Sequence, residues 1–295
     1  MQIKKTILYK EDILPEGLSS NETTTRKYVF SSTTYDRQGN VLVEERFSPE
    51  GHVEDRVENE YDDQGRLLVY KNIIQGEVAE HKSWEYDGDK VLREFIHYVD
   101  GSKDAVVYAY DENGRVVSAT QYDEDGELES ETLFEYDGGT VKEISRDAEG
   151  EITEEKKSVS ENDKETYQYR KDHFSGDVLA LGYEYDDQGR LAVTYRYDEE
   201  GNILEKAAYE YDANNHVVRI NQQAGDTSSD VLFTYDDSGN TVKQVEQQQD
   251  GTIVSSIERD YDENNLHRRS VVFLNGMGEQ MSQNYNVIHE YEFFE

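Results

Sequence analysis

The sequence predicts an all-β fold: a repetitive antiparallel β-hairpin meander in one curled sheet. Three observations predict it. Tyr-Asp pairs recur at a near-constant spacing, a second turn signal falls about midway between them, and aromatic residues alternate with polar ones just ahead of the turns. The pairs begin at Tyr35, Tyr61, Tyr86, Tyr110, Tyr136, Tyr185, Tyr211, Tyr235 and Tyr261, 24 to 26 residues apart except for one gap of 49. That gap is two periods. Its midpoint falls near Glu161-Asn162-Asp163, where a degenerate copy would turn, so the chain reads as about ten units of about 25 residues.

Taken in order, residues 1–30 supply N-terminal cap strands, with residues 3–9 as one strand and Pro15 outside the repeats, as suits an edge or a loop. The repeats occupy residues 31–280. Within them Pro49-Glu50-Gly51, Gln75-Gly76, Asp100-Gly101, Asp250-Gly251 and Asn275-Gly276 are half-period turns. A turn every 12 or 13 residues leaves one strand of about eight residues between turns, hence roughly twenty strands. Residues 281–295 form the closing strand, and residues 1–295 are a single domain. In this arrangement the first and last strands are the two edges of the sheet, and whether the sheet closes or stays open is not decided by the sequence.

The turn motif has a local explanation. In Asp111-Glu112-Asn113-Gly114 the Asp carboxylate accepts from the backbone N–H two residues on, and the middle residues suit a type I turn. Gly114 takes the left-handed conformation of a G1 bulge, as do Gly65 and Gly189 in their units. Ahead of the turn, Trp84 and Tyr86, Tyr108 and Tyr110, and Tyr183 and Tyr185 are two apart and share a sheet face. Ala109, Glu135, Glu184 and Glu210 point the other way. The expectation is a concealed face of stacked aromatics and an exposed acidic face, with the repeated tyrosines and glycines as structural residues.

Composition narrows the functional classes. The net charge is −36 and hydrophobics are 35%, a balance that by itself suggests disorder, but 23 tyrosines and 9 phenylalanines at regular spacing indicate a folded chain. There is no cysteine, which excludes disulfides and thiolate metal sites. Lys10, Glu11 and Asp12 interrupt the N-terminal apolar run before it makes a signal-peptide core, and no run of about 18 apolar residues occurs. Cytoplasmic residence without a membrane span is expected, with export by a signal-independent route left open.

No catalytic constellation emerges. His52, His81, His97, His173, His216, His267 and His289 are scattered along the repeats, without an HExxH pair or a G-x-S-x-G elbow. The expectation is a protein that is not an enzyme and needs no cofactor. Asp123, Asp125 and Glu127 have the look of a calcium loop, but the strand resumes at Leu128, too soon for a twelve-residue ligand loop. They are a candidate for weak calcium binding only. A surface this negative repels phosphate, so nucleic acid is not an expected ligand.

The units Tyr61–Leu67 and Tyr185–Leu191 (both YDDQGRL), with YDENGRV at Tyr110–Val116 and YDEEGNIL at Tyr197–Leu204, resemble the YD repeat of Rhs proteins, the C component of Tc toxins and the teneurins. The resemblance covers roughly residues 30–280 and implies a long antiparallel sheet spiralling into a hollow shell, which in that family usually encloses a C-terminal toxin domain. For this chain the expectation is a YD-repeat region without a toxin domain. Twenty strands at about 4.8 Å span roughly 95 Å, so a short arc or small turn of shell is expected.

The function implied is a protein-interaction module. One version is an immunity or antitoxin-like protein that holds a basic partner, a toxin or effector, on an acidic repeat surface. The alternative is a structural shell or cell-surface scaffold, exported and binding carbohydrate through exposed tyrosines. A third reading gives the acidity to solubility alone. The binding face and oligomeric state are left open by the sequence.

Overall fold

The computed structural model describes residues 2–15, 23–276 and 282–295, and in it the hairpins close on themselves. Twenty-two antiparallel strands each pair with their neighbours in sequence, and β1 (Ile3–Pro15) pairs with both β2 (Thr23–Tyr35) and β22 (Gln283–Phe293). The sheet is therefore a closed meander barrel without a helix among the described residues. The two edges expected at the chain ends do not exist. Ile7 faces Glu290 and Lys10 faces Val287 across the seam, where Asn286, 3% exposed, donates to the Glu11 carboxylate at 2.7 Å. Closure removes the unpaired N–H and C=O groups that an edge presents.

The first strand is also longer than residues 3–9. It continues through Lys10, Glu11 and Asp12 to Pro15, which pairs with Thr23 and so belongs to the strand rather than to a loop. Charged residues do not end it because both of its faces meet water, and Lys10 pairs with Asp12 at 2.9 Å. At the other end of the chain Asn275 and Gly276 leave the strand as expected, while the rest of that connection lies outside the described residues.

Curvature has a repeated local cause. The ladder slips by one residue just before Tyr35, Tyr61, Tyr86, Tyr110, Tyr185, Tyr211, Tyr235 and Tyr261. Each bulge increases the local twist and bends its strand, the slips recur beside Phe47, Tyr122 and Tyr197 at the other ends of the strands, and repeated bulges let a long sheet close. The degenerate copy is present too: Asn162 and Asp163, with φ of 51° and 61°, make the two-residue turn that keeps the register.

The wall is one layer thick. Only Ala180, Val231 and Val272 are buried hydrophobics among the described residues. The accessible surface is 18985 Å², against roughly 12,900 Å² for a compact monomer of 34.2 kDa. The aromatic face is thus half-buried rather than concealed, since no second layer packs on it. The faces are also mixed. Cross-strand partners share a face, so Arg196, Glu205 and Glu246 lie with Tyr183, Tyr209 and Phe233, while Val193, Ala208 and Leu232 lie with Glu184 and Glu210.

Strands alternate in direction, so turns alternate between two rims. All nine Tyr-Asp turns of the repeat register fall on one rim, called here the tyrosine rim. Two further Tyr-Asp pairs, Tyr122-Asp123 and Tyr197-Asp198, fall on the opposite rim.

Candidate functional site

The tyrosine rim is built by a clamp that joins successive repeats. Each clamp tyrosine donates its hydroxyl to a backbone carbonyl at the start of a strand 18 to 20 residues earlier: Tyr86 to Leu67, Tyr110 to Val91 and Tyr185 to Glu165 at 2.8 Å, Tyr211 to Leu191 and Tyr235 to Val217 at 2.7 Å. In the first repeat Asn59 takes the corresponding carbonyl of Val41 at 2.9 Å. Burial against the neighbouring hairpin raises the Tyr86, Tyr110 and Tyr211 hydroxyl pKa values above the usual range.

The rest of the motif completes the clamp. Asp111 Oδ1 accepts from the N–H groups of Asn113 and Arg115, both at 2.9 Å, and Gly114 sits at φ 80°, the expected type I turn with a G1 bulge. Gly65 and Gly189, at φ 79°, repeat it. The arginine after the glycine then does two things. Arg66, Arg115 and Arg190 pair with Asp62, Asp111 and Asp186 at 2.6 to 2.7 Å, and their guanidinium groups lie 4.9, 4.3 and 4.4 Å from the ring centres of Tyr86, Tyr136 and Tyr211 in the next repeat. Lys90 and Lys164 take the same place over Tyr110 and Tyr185, and His216 stacks on Tyr235. The expected stack of aromatic on aromatic is instead a stack of tyrosines with cations or histidine between them. The N–H of the residue at i+4 is the main cause holding the Asp62, Asp111 and Asp186 carboxyls below the usual carboxylate range.

The calcium candidates fall at a turn on the opposite rim. Asp123 Oδ1 accepts from the N–H groups of Asp125 at 3.0 Å and Glu127 at 2.7 Å, which is turn capping. Nearby, Asp104 is 5% exposed and accepts from Tyr98 Oη at 2.6 Å and Gln121 Nε2 at 2.8 Å; the same amide reaches Glu129 at 2.9 Å. The hydrogen bond to Asp104 pushes the Tyr98 pKa up to about 12. Among the described residues no three His, Asp or Glu side chains gather as metal ligands.

The sheet gathers four of the histidines that the sequence scatters. His81 and His97 stack at 4.2 Å, and His97 meets Ser83 Oγ at 2.8 Å. His267 and His289 lie 4.2 Å apart, and burial, reinforced by His267, lowers His289 to about 4. Cross-strand register makes these contacts, and no spacing in the sequence announces them. A groove of about 1020 Å³ between Val178–Tyr185 and Ile253–Tyr261 is lined by Tyr183, Thr194, Arg196, Gln222, Ser229 and Gln248, also unforeseen from the sequence.

A family model described as "Uncharacterised protein" matches residues 3–109. No curated protein matches. Among solved structures, a porin-like protein from Bacteroides uniformis ATCC 8492 is similar over 98% of both chains, at 10% identity and a TM-score of 0.36. TcdB2-TccC3-TEV is similar over 95% of this chain and 19% of that one, at 12% identity and a TM-score of 0.34. TcdB2-TccC3-Cdc42 is similar over 86% and 19%, at 11% identity and a TM-score of 0.32.

Proposed function

We propose that this chain is a YD-repeat barrel that works as a non-enzymatic binding scaffold, holding a basic protein on its acidic surface. The observation that carries the proposal is the distribution of charge: a net −36 spread over a closed, single-layer wall whose clamp tyrosines, aspartates and arginines are occupied with one another. Exposed carboxylates outside that clamp, such as Glu124, Glu199 and Glu200, face water and can meet cations. A rigid surface of one sign speeds association with a partner of the other. No helix among the described residues is long and apolar enough to cross a membrane. A spanning β-barrel needs an outward apolar band, whereas ion pairs occur on both faces here, Arg219 with Asp230 on one and Arg196 with Glu205 on the other. We therefore assign the barrel to water, and to the cytoplasm in the version where the partner is a toxin and the chain its antitoxin.

The test is association kinetics with a basic protein encoded beside this chain. The on-rate should fall steeply from about 50 mM to about 500 mM salt while the off-rate changes little, and co-expression should rescue cells if the partner is toxic. A partner bound with salt-indifferent kinetics overturns the reading. A second reading rests on the groove, where Tyr183 offers a stacking face and Gln222, Gln248 and Arg196 offer planar polar groups, a set suited to carbohydrate. Saturable binding on a glycan array, lost in Tyr183→Ala, would favour that exported-scaffold alternative.

A further inference from the structure

The two rims carry the same turn design but end differently. On the tyrosine rim the residue two after the turn glycine, such as Leu67, Val116 or Leu191, is half-buried, and its carbonyl accepts from the tyrosine hydroxyl of the next repeat. On the opposite rim most of the equivalent apolar residues are uncovered: Val53 and Leu128 are 43% exposed, Val78 45% and Ile203 57%, while Ile152 and Val178 stay half-buried. Beside them, at turn tips, Val99 is 92% and Phe174 99% exposed. Among the described residues Tyr122 and Tyr197, the Tyr-Asp tyrosines of this rim, donate to no such carbonyl. Most of the exposed large hydrophobics of the barrel thus gather on one rim, an arrangement unlike the isolated exposed apolar residues of ordinary surfaces.

Charge separates the rims as well. The tyrosine rim carries Arg37, Arg66, Lys90, Arg115, Lys164 and Arg190 in or beside its turns. The nine described turns of the opposite rim hold no lysine or arginine within them, although Lys103 stands beside one, Arg26 pairs with Glu50 and Arg146 donates to the Gly150 carbonyl, and they hold acidic runs such as Asp123-Glu124-Asp125 and Asp198-Glu199-Glu200. We propose that this apolar, acidic rim is the docking surface, and that its occupant is a protein presenting an apolar patch ringed by lysine or arginine; this rests on the basic-partner reading above and adds where the partner sits. Charge selects the occupant. A second copy placed like rim on like rim would set like charges together, the tyrosine rim of a second copy brings its own carboxylates at Asp62-Asp63, Asp111-Glu112, Asp186-Asp187 and Asp236-Asp237, and an anionic lipid surface would be repelled. A cationic amphipathic face satisfies both the uncovered side chains and the carboxylates around them.

The probe is a Lys/Leu amphipathic helical peptide about 18 residues long, titrated against the full chain at low salt, with a Glu/Leu and a Lys/Ser peptide for comparison. The Lys/Leu peptide should bind saturably and more tightly than either. Affinity should fall about tenfold or more in the double variant Val99→Ser, Phe174→Ser, and comparably in the triple variant Glu124→Gln, Glu199→Gln, Glu200→Gln. Leu92→Ser, an exposed apolar position at the tyrosine rim, should leave it unchanged. Wild-type affinity in the double variant overturns the rim assignment while leaving the basic-partner reading standing. Failure of both lysine peptides to bind wild type overturns both. Self-association without peptide that the double variant abolishes, or binding to phosphatidylcholine vesicles that it abolishes, would replace the proposed occupant with a second copy or a lipid surface.

Discussion

A tyrosine hydroxyl reaching back about 20 residues is the smallest unit that holds neighbouring hairpins together. Tyr185 binds the Glu165 carbonyl and lies under Lys164, so Tyr185→Phe should lose about 1 kcal/mol, the net worth of one hydrogen bond. Tyr185→Ala should lose about 2 to 3 kcal/mol, less than a fully buried ring, because the side chain is half-exposed. Gly114→Val should also destabilise, by about 1 to 3 kcal/mol, since φ is 80° and a β-branched residue is strained there. Denaturant midpoints measure all three. His289 gives a separate pH signature. Its folded pKa is about 4, below the ordinary 6.5, so the unfolded chain takes up its proton first and stability declines as pH falls from 6.5 toward 4. The turn aspartates, held below the usual carboxylate range, add a further loss below about pH 4. His289→Gln should flatten the upper part of that profile and leave the lower part intact.

Strands and turns were legible because their chemistry is local. Asp-x-x-Gly closes a hairpin by bonds within five residues, and a bulge beside the tyrosine repeats wherever the motif repeats. The seam is different, because Asn286 and Glu11 are brought together only when the whole sheet has curled. In the closed barrel the seam amides of β1 and β22 should show hydrogen exchange as slow as those of interior strands. Fast exchange confined to these two strands would mean that the sheet is open. Removing β22 by ending the chain at residue 282 should expose two free edges and cause aggregation, visible by light scattering at concentrations where the full chain stays dispersed.

At the scale of the molecule, twenty-two strands at about 4.8 Å with a tilt of about 40° give a ring roughly 44 Å across if round. A compact chain of this length has a radius of gyration of roughly 19 Å. A hollow wall should exceed that, and small-angle scattering checks it. Without a packed interior, stability must come from the ladder, the clamps and ion pairs such as Arg219 with Asp230. High salt should therefore weaken binding of a cationic partner more than it unfolds the barrel, because exposed charges are screened while backbone hydrogen bonds and half-buried clamps are shielded.

The sequence by itself determined the all-β meander, its strands to within two and their turns, because each rests on interactions between residues close in the chain. Closure, the half-exposure of the aromatic face, the cations between tyrosines, the histidine pairs and the separation of two unlike rims were decided only by the tertiary structure. The two Tyr-Asp-x-x-Gly segments at Tyr110 and Tyr122 show why. They look alike in the chain, but strand direction sends them to opposite rims, where the hydroxyl of Tyr110 meets the Val91 carbonyl of the preceding hairpin and Tyr122 has no such partner among the described residues.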